Sequence, residues 1–129
     1  MNLQYTRRVL IVDDEHIVRD ALARAFKTII GFEVVGQAAN GLEAIEQHKR
    51  LVPDIVLMDA HMPRIDGITA TRHIHRIKTH SCIIALMTYG DDPTLCEAML
   101  KAGATLCLSK QDGLEALERA LNSIVASSH

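Results

Sequence analysis

The sequence predicts an α/β domain, a parallel five-stranded sheet with helices packed on both faces. Three observations predict it. Short apolar runs alternate with longer amphipathic segments, in the order βαβαβαβαβα. The runs at 9–12, 55–58 and 83–87 show little polar alternation, as strands covered on both faces should. Gly31, Gly103 and the pair Asn40-Gly41 fall at the joins between segments.

The first strand, over 9–12, is wholly apolar and ends in Asp13-Asp14. Val18, Leu22, Ala25 and Ile29 then recur at helical spacing. A second strand covers 33–38. A weaker helical pattern over 41–51 is built on Ala44, Ile45 and His48. Pro53 precedes the third strand, 55–58, which delivers Asp59. Ala70, Ile74 and Ile77 mark a helix over 67–78. The fourth strand, 83–87, ends in Thr88. Pro93 opens the next helix, where its missing N–H costs little, and Leu95, Ala98, Met99 and Ala102 form its apolar face. The fifth strand, 105–108, leads to Lys110. Leu114, Leu117, Leu121 and Ile124 define the last helix.

Composition narrows the function classes. A chain of 129 residues has the usual size of one domain. We expect a single domain over 1–129, with a core of about 8–125 and no output domain in this chain. Hydrophobic residues make up 48% but aromatics only 3%, so the core must be aliphatic. A net charge of −2 and a pI near 6.4 leave no basic stripe, which argues against direct binding of nucleic acid. No apolar stretch approaches the roughly 20 residues that a membrane helix needs. The start, MNLQYTRRVLIVDDE, lacks the pattern of a signal peptide. Cys82, Cys96 and Cys107 are an odd set in apolar settings, and read as buried thiols of a cytosolic protein rather than disulfides or zinc ligands, with a redox switch of Cys96 and Cys107 as the less favoured alternative.

Right-handed crossovers spread over two faces require the winding to reverse, and ligands bind at that switch, beyond the carboxyl ends of the strands. Four of the five strands send a polar group to that rim: Asp13 and Asp14, Asp59, Thr88 and Lys110. Singly, each has a plain explanation. Asp13-Asp14 suits a helix N-terminus, Asp59 a turn, Thr88 a strand end and Lys110 a solvated surface. Their convergence from independent strand ends is the stronger signal. Three close carboxylates repel one another, and a divalent cation relieves this; hard oxygen ligands favour Mg²⁺. Mg²⁺ and Lys110 together balance three carboxylates. Such a pocket can accept a phosphoryl group, whose transfer needs mainly positioning and charge stabilisation.

Four stretches carry a resemblance: VLIVDDEHIVRDAL, DIVLMDAHMPRIDG, ALMTYGDD and KAGATLCLSK. The pattern Asp-x-x-Met-Pro-x-x-Asp-Gly over 59–67 is the most specific. Over about 8–125 the chain resembles the receiver domain of two-component response regulators. QAANGLEAIE and the missing proline after Lys110 resemble the NarL/FixJ subfamily, which usually carries a LuxR-type helix-turn-helix output domain. The resemblance implies a flavodoxin-like (βα)5 three-layer sandwich with strand order 2-1-3-4-5. It implies Asp59 as nucleophile, taking a phosphoryl group from a phosphohistidine of a sensor histidine kinase. Asp14, Asp59 and the backbone carbonyl of His61 would ligate Mg²⁺, with Asp13 acting through water. Lys110 would pair with Asp59 and then with a phosphoryl oxygen, and Thr88 would donate its hydroxyl to another. That contact would repack the face made by the fourth helix, fifth strand and fifth helix. The family adds a homodimer on phosphorylation, DNA contact only through an output domain missing here, no membrane and a cytoplasmic location.

Two departures concern the switch. The family commonly has an aromatic three residues before the lysine; here Cys107 stands there and cannot swing as a tyrosine does. Tyr89, beside Thr88, is the candidate to take over that part. Gln111 follows Lys110 in place of proline, so a trans bond is expected, since the cis form would cost about 3 kcal/mol. His61, two residues past the acceptor, is expected to affect the lifetime of the phosphoryl group. The other histidines read as surface groups, with His48 half-buried, and the methionines as core filler.

Two other functions compete with the switch. One is a phosphorylation-independent interaction module with a vestigial pocket, which Cys107 favours. The other is an aspartyl-nucleophile phosphatase of small molecules, which would need a second acid and a cap; position 61 is His and no insertion supplies a cap. Beyond its own phosphorylation and dephosphorylation, the chain is expected not to be an enzyme.

Overall fold

A computed structural model describes residues 5–62, 66–77, 80–88 and 90–127. Its elements run β1 (Arg7–Val12), α1 (His16–Phe26), β2 (Phe32–Ala38), α2 (Gly41–Leu51), β3 (Ile55–Asp59), α3 (Gly67–Arg76), β4 (Cys82–Met87), α4 (Pro93–Ala102), β5 (Leu106–Ser109) and α5 (Gly113–Ser127). All neighbouring strands pair in parallel, in the order β2-β1-β3-β4-β5. This is the flavodoxin-like sandwich. The winding reverses between β1 and β3, which puts the carboxyl ends of those two strands side by side.

The pleat of the strands builds the three layers. Successive side chains point to opposite faces. Leu10, Val12, Val56, Met58, Ile83 and Ala85 enter one core with Ala44, Ile45, Ala70, Ile74 and Met99, from α2, α3 and α4. Val9, Ile11, Ile55, Leu57, Ile84 and Leu86 enter the other with Phe26, Leu117, Leu121 and Ile124, from α1 and α5. The unbroken apolar runs at 9–12 in β1, 55–58 in β3 and 82–87 in β4 follow from burial on both sides.

Helix ends follow local chemistry. Asn40 caps α2 by accepting from the Glu43 N–H, while the Glu43 carboxylate accepts from the Ala39 N–H. Asp66 caps α3 through the Thr69 N–H, and Asp92 caps α4 ahead of Pro93. Gly103 leaves α4 at φ 127°, a conformation that L side chains rarely adopt.

Several expectations need correction. The helix expected to include Ile29 stops at Phe26. The chain then tightens through i→i−3 bonds from Lys27, Thr28 and Ile29, and Ile29 reaches the core from that tail. The helix expected over 67–78 ends at Arg76, and residue 78 lies outside the described residues. His48 is not half-buried but 1% exposed, because it shares a face of α2 with Ala44 and Ile45. Cys96 and Cys107 are joined as a disulfide rather than standing as separate thiols; Cys82 is free. The pleat turns Cys107 towards α4 while Leu106 and Leu108 face the opposite core, so two cysteines distant from any paired motif meet. Tyr89, Pro63 and His129 lie outside the described residues, and with Tyr89 goes one switch candidate.

Candidate functional site

β1 and β3 bring the two central acids together. Asp13 follows the last residue of β1, and Asp59 is the last residue of β3. Both are buried, at 0% and 1% exposure. Asp14, the next residue, is exposed and faces the solvent side of the cluster. One carboxylate oxygen from each of Asp13, Asp14 and Asp59 falls within a mutual span of 4.8 Å. A hard, three-carboxylate donor set of that size, open to water at Asp14, fits Mg²⁺, which keeps several waters and takes one or two carboxylates directly.

Lys110 enters from the end of β5. Its Nζ lies 2.7 Å from Asp13 Oδ2, 3.4 Å from Asp59 Oδ1 and 4.0 Å from Glu15 Oε1. The lysine therefore sits closer to Asp13 than to Asp59, the partner the resemblance implied. A short 3₁₀ turn, Lys110–Asp112, fixes its backbone. Ser109 caps that turn, and Asp112 returns a carboxylate to the Ser109 N–H. The Lys110–Gln111 bond is trans, as expected.

Backbone donors hold the acids. Asp13 Oδ1 accepts from the Glu15 N–H at 2.9 Å, and Asp59 Oδ1 accepts from the His61 N–H at 3.1 Å. Arg19, from α1, donates to the Asp13 carbonyl at 2.8 Å. Below Asp59, the first residue of α3 is a glycine for a steric reason. A Cβ on Gly67 would collide with the Asp59 carbonyl oxygen and stand 2.9 Å from the Ala60 Cα. The Asp-Gly pair thus serves two purposes: Asp66 starts α3, and Gly67 lets it pack against the end of β3.

The electrostatics separate the two central groups. Burial pushes the Asp59 carboxyl up, to a pKa of about 6; the Asp13 charge adds to this, while the His61 N–H and Lys110 pull it back. Burial works to lower Lys110, but its hydrogen bond to Asp13 and the charges of Asp59 and Asp13 outweigh that and raise it. A lysine that stays charged between two buried acids, one of them reluctant to ionise, marks a site short of positive charge.

Thr88 is exposed at the end of β4, on the same rim. Its N–H donates to Asp91 Oδ2 at 2.6 Å, and the other Asp91 oxygen lies 2.8 Å from His61 Nε2. The Asp91 carboxyl is held below the usual range, first by that Thr88 N–H and further by His61. His61 and Asp91 thus link the loop after β3 to the loop after β4, across the mouth of the site. No role for Asp91 follows from sequence spacing by itself. Its only signal is an acid three residues past a strand-end threonine, where a carboxylate can close a turn onto the backbone. Cys107, with Thr88 one of the two switch candidates among the described residues, is tied to Cys96.

Beside this rim an apolar groove of about 460 Å³ runs between α1 and α5, lined by Val18, Leu22, Leu114 and Leu117, with Thr88 and Lys110 at one end. Ile17, at its edge, is 77% exposed. No helix among the described residues is long and apolar enough to cross a membrane.

The family model of the response regulator receiver domain matches residues 9–122. Chemotaxis protein CheY of Thermotoga maritima is 41% identical over 118 residues, 92% of this chain and 97% of that protein. Response regulator GacA of Pseudomonas viridiflava is 38% identical over 119 residues, again 92% of this chain but 55% of the relative. The chain therefore spans about half the length of the GacA regulators it matches. Among solved structures, a LuxR-family two-component response regulator from Aurantimonas sp. superposes with a TM-score of 0.87 at 32% identity, over 95% of this chain and 86% of that one. CheY in a CheX–CheY–BeF3–Mg²⁺ complex from Borrelia burgdorferi superposes with a TM-score of 0.85 at 28% identity, over 94% and 90%. With its strand order, its acidic rim and a model match over most of its length, the chain belongs to the response regulator receiver domain family of two-component signalling.

Proposed function

We propose that the chain is a phosphoacceptor switch that takes a phosphoryl group onto Asp59 from a sensor histidine kinase. The observation that carries this is the convergence of Asp13, Asp14 and Asp59 within 4.8 Å, with the Lys110 ammonium 3.4 Å from Asp59. In the transfer, an Asp59 carboxylate oxygen attacks phosphorus, the P–N bond to the donor imidazole breaks, and its electron pair stays on that imidazole. Asp59 must be ionised to attack. With a pKa raised only to about 6 it is mostly ionised at neutral pH, and a bound cation would offset the cost of that buried charge.

Asp14, Asp59 and the His61 carbonyl would hold Mg²⁺, and Asp13 would act through water. The short Lys110–Asp13 pair supports that division, because it already occupies one Asp13 oxygen. When bound, the ion would supply positive charge against the phosphoryl oxygens. Lys110 then moves onto a phosphoryl oxygen, and Thr88 donates its hydroxyl to another. The Thr88 shift draws in the loop that His61 and Asp91 clasp, and α4, β5 and α5 repack.

The groove between α1 and α5 supports docking of the phosphodonor protein, since it opens an apolar surface beside Lys110. The chain forms a single receiver domain over 1–129, with its core at about 8–125, and the family match over 9–122 supports those limits. The length of the GacA regulators and the LuxR-family likeness support a DNA-binding output domain in the native protein, through which phosphorylation controls transcription. Dimerisation on phosphorylation and a cytoplasmic location belong to the same account. Beyond its own phosphorylation and dephosphorylation the chain has no catalytic role in it.

A second reading has one observation in its favour. The Cys96–Cys107 bond ties α4 to β5, which suits an interaction module whose face does not respond to phosphate. Incubation with acetyl phosphate and Mg²⁺, followed by intact mass, separates the two. A single phosphoryl adduct, absent in Asp59→Asn, supports the switch. No adduct overturns it in favour of the module, and sustained phosphate release at many turnovers would instead point to a phosphatase.

A further inference from the structure

Cys96 lies on α4 and Cys107 on β5, eleven residues apart, with Cα atoms separated by 6.1 Å. That separation falls inside the range disulfides span. Placement by the fold brings them together. Cys107 pairs with Ala85 in the β4–β5 register, and alternate residues of β4 and β5 turn it and Ala85 to the α4 side. Both cysteines are half-buried against the core that holds Met99 and Ala104, so neither is sealed from small oxidants or thiols. The third cysteine, Cys82, starts β4, lies against the opposite core and is free. The pair has no competing partner.

We infer that Cys96 and Cys107 are a reversible thiol–disulfide site whose oxidation staples α4 to β5 and blocks the response of that face to phosphorylation at Asp59. The chemistry is complete with a peroxide as oxidant. One thiolate attacks a peroxide oxygen, the O–O bond breaks, and the departing hydroxide takes up the proton that the thiol had released, giving a sulfenic acid and water. The second thiol displaces hydroxide from that sulfur, giving the disulfide and a second water. A small dithiol reverses it by two exchanges and is itself oxidised to its disulfide. The consequence for signalling rests on the phosphoacceptor reading; the bond itself does not. In the family pattern an aromatic at position 107 moves during switching. Here a covalent link holds that position to the helix it would move against.

The test uses the whole chain in two states, treated with hydrogen peroxide or with dithiothreitol and then freed of reagent. Alkylation and intact mass come first. One alkylated cysteine is expected after peroxide, and three after dithiothreitol. Three in both states, or one in both, overturns the reversible site. Amide NMR spectra are then recorded with beryllofluoride and Mg²⁺. In the reduced chain, shifts are expected at Asp59 and Lys110 and along α4 and β5. In the oxidised chain, they are expected at Asp59 and Lys110 only. Equal shifts along α4 and β5 in both states overturn the coupling. The variant Cys96→Ser should respond as the reduced chain does after either treatment; if its face also falls silent after peroxide, the staple is not the cause. No shift near Asp59 in the reduced chain would instead defeat the phosphoacceptor reading, and the coupling with it, while the alkylation result would still decide the disulfide.

Discussion

The Lys110 ammonium lies 2.7 Å from the buried Asp13 carboxylate, the shortest ion pair among the described residues. Asp59, at 3.4 Å, is left with the weaker share of a single cation. Burial, with the Asp13 charge beside it, raises the Asp59 carboxyl to about 6 against the pull of the His61 N–H and of Lys110.

Between the unfolded value near 4 and about 6, the folded chain holds a proton that the unfolded chain has released. Raising the pH through that window therefore removes stability, and above it the charged Asp59 is a burden. In the absence of divalent metal, Asp59→Asn should stabilise the chain at pH 7.5 by about 2 kcal/mol, with the gain shrinking towards zero by pH 4. Urea denaturation at the two pH values in EDTA measures it. A variant less stable than wild type at pH 7.5 would contradict this electrostatic account.

Gly67 should not tolerate a side chain. The added Cβ of Gly67→Ala meets backbone of Asp59 and Ala60, which cannot rotate aside. The start of α3 must move instead, at a cost of about 1–3 kcal/mol. A lowered melting temperature together with slower phosphorylation is the expected result. Unchanged stability would show that α3 packs less closely against β3 than described.

His61, whose N–H binds the Asp59 carboxylate, is clasped to Asp91 by its ring. His61→Ala and Asp91→Ala should each shorten the lifetime of the phosphoryl group severalfold, because water then reaches the acyl phosphate more freely and the Thr88 loop loses its anchor. Decay of radiolabelled protein after removal of the donor gives the rates. Rates equal to wild type in both variants would remove the clasp from the mechanism.

His48 couples stability to pH at the other end of the sheet. Burial lowers its pKa, and the charge of His80 lowers it further. Its Nε2 lies 3.0 Å from Ser81 Oγ, which donates to the Pro53 carbonyl. The unfolded chain takes up the proton first as pH falls below about 6.5, so His48 stability is full above that pH and is lost below it. Wild type should lose more stability than His48→Leu between pH 7.5 and 5.5, even if the variant starts lower. Parallel losses in urea titrations would contradict it.

Much of this architecture was legible in the residues. Unbroken apolar runs at 9–12, 55–58 and 83–87 place strands covered on both faces, and Asp13, Asp59, Thr88 and Lys110 do stand at strand ends on one rim. What escaped depends on distances the chain order hides. A redox pair of Cys96 and Cys107 is only the less favoured reading of the sequence, because their meeting needs the β4–β5 register and the pleat together. Asp91 acts only because its loop folds back to Thr88 and His61. The Lys110 preference for Asp13 over Asp59 is a matter of under one ångström, beyond any spacing rule. The burial of His48 was readable, since it falls three and four residues after Ile45 and Ala44 on one helical face.

The central claim is that the phosphoryl group sits on Asp59. An acyl phosphate is reduced by borohydride to the corresponding alcohol, which converts the modified aspartate to homoserine and leaves free carboxylates intact. Protein treated with acetyl phosphate and Mg²⁺, then borohydride, and mapped by peptide mass spectrometry should carry homoserine at position 59 and nowhere else, and none when EDTA replaces Mg²⁺. Homoserine at Asp13 or Asp14, or at no position, would contradict the account.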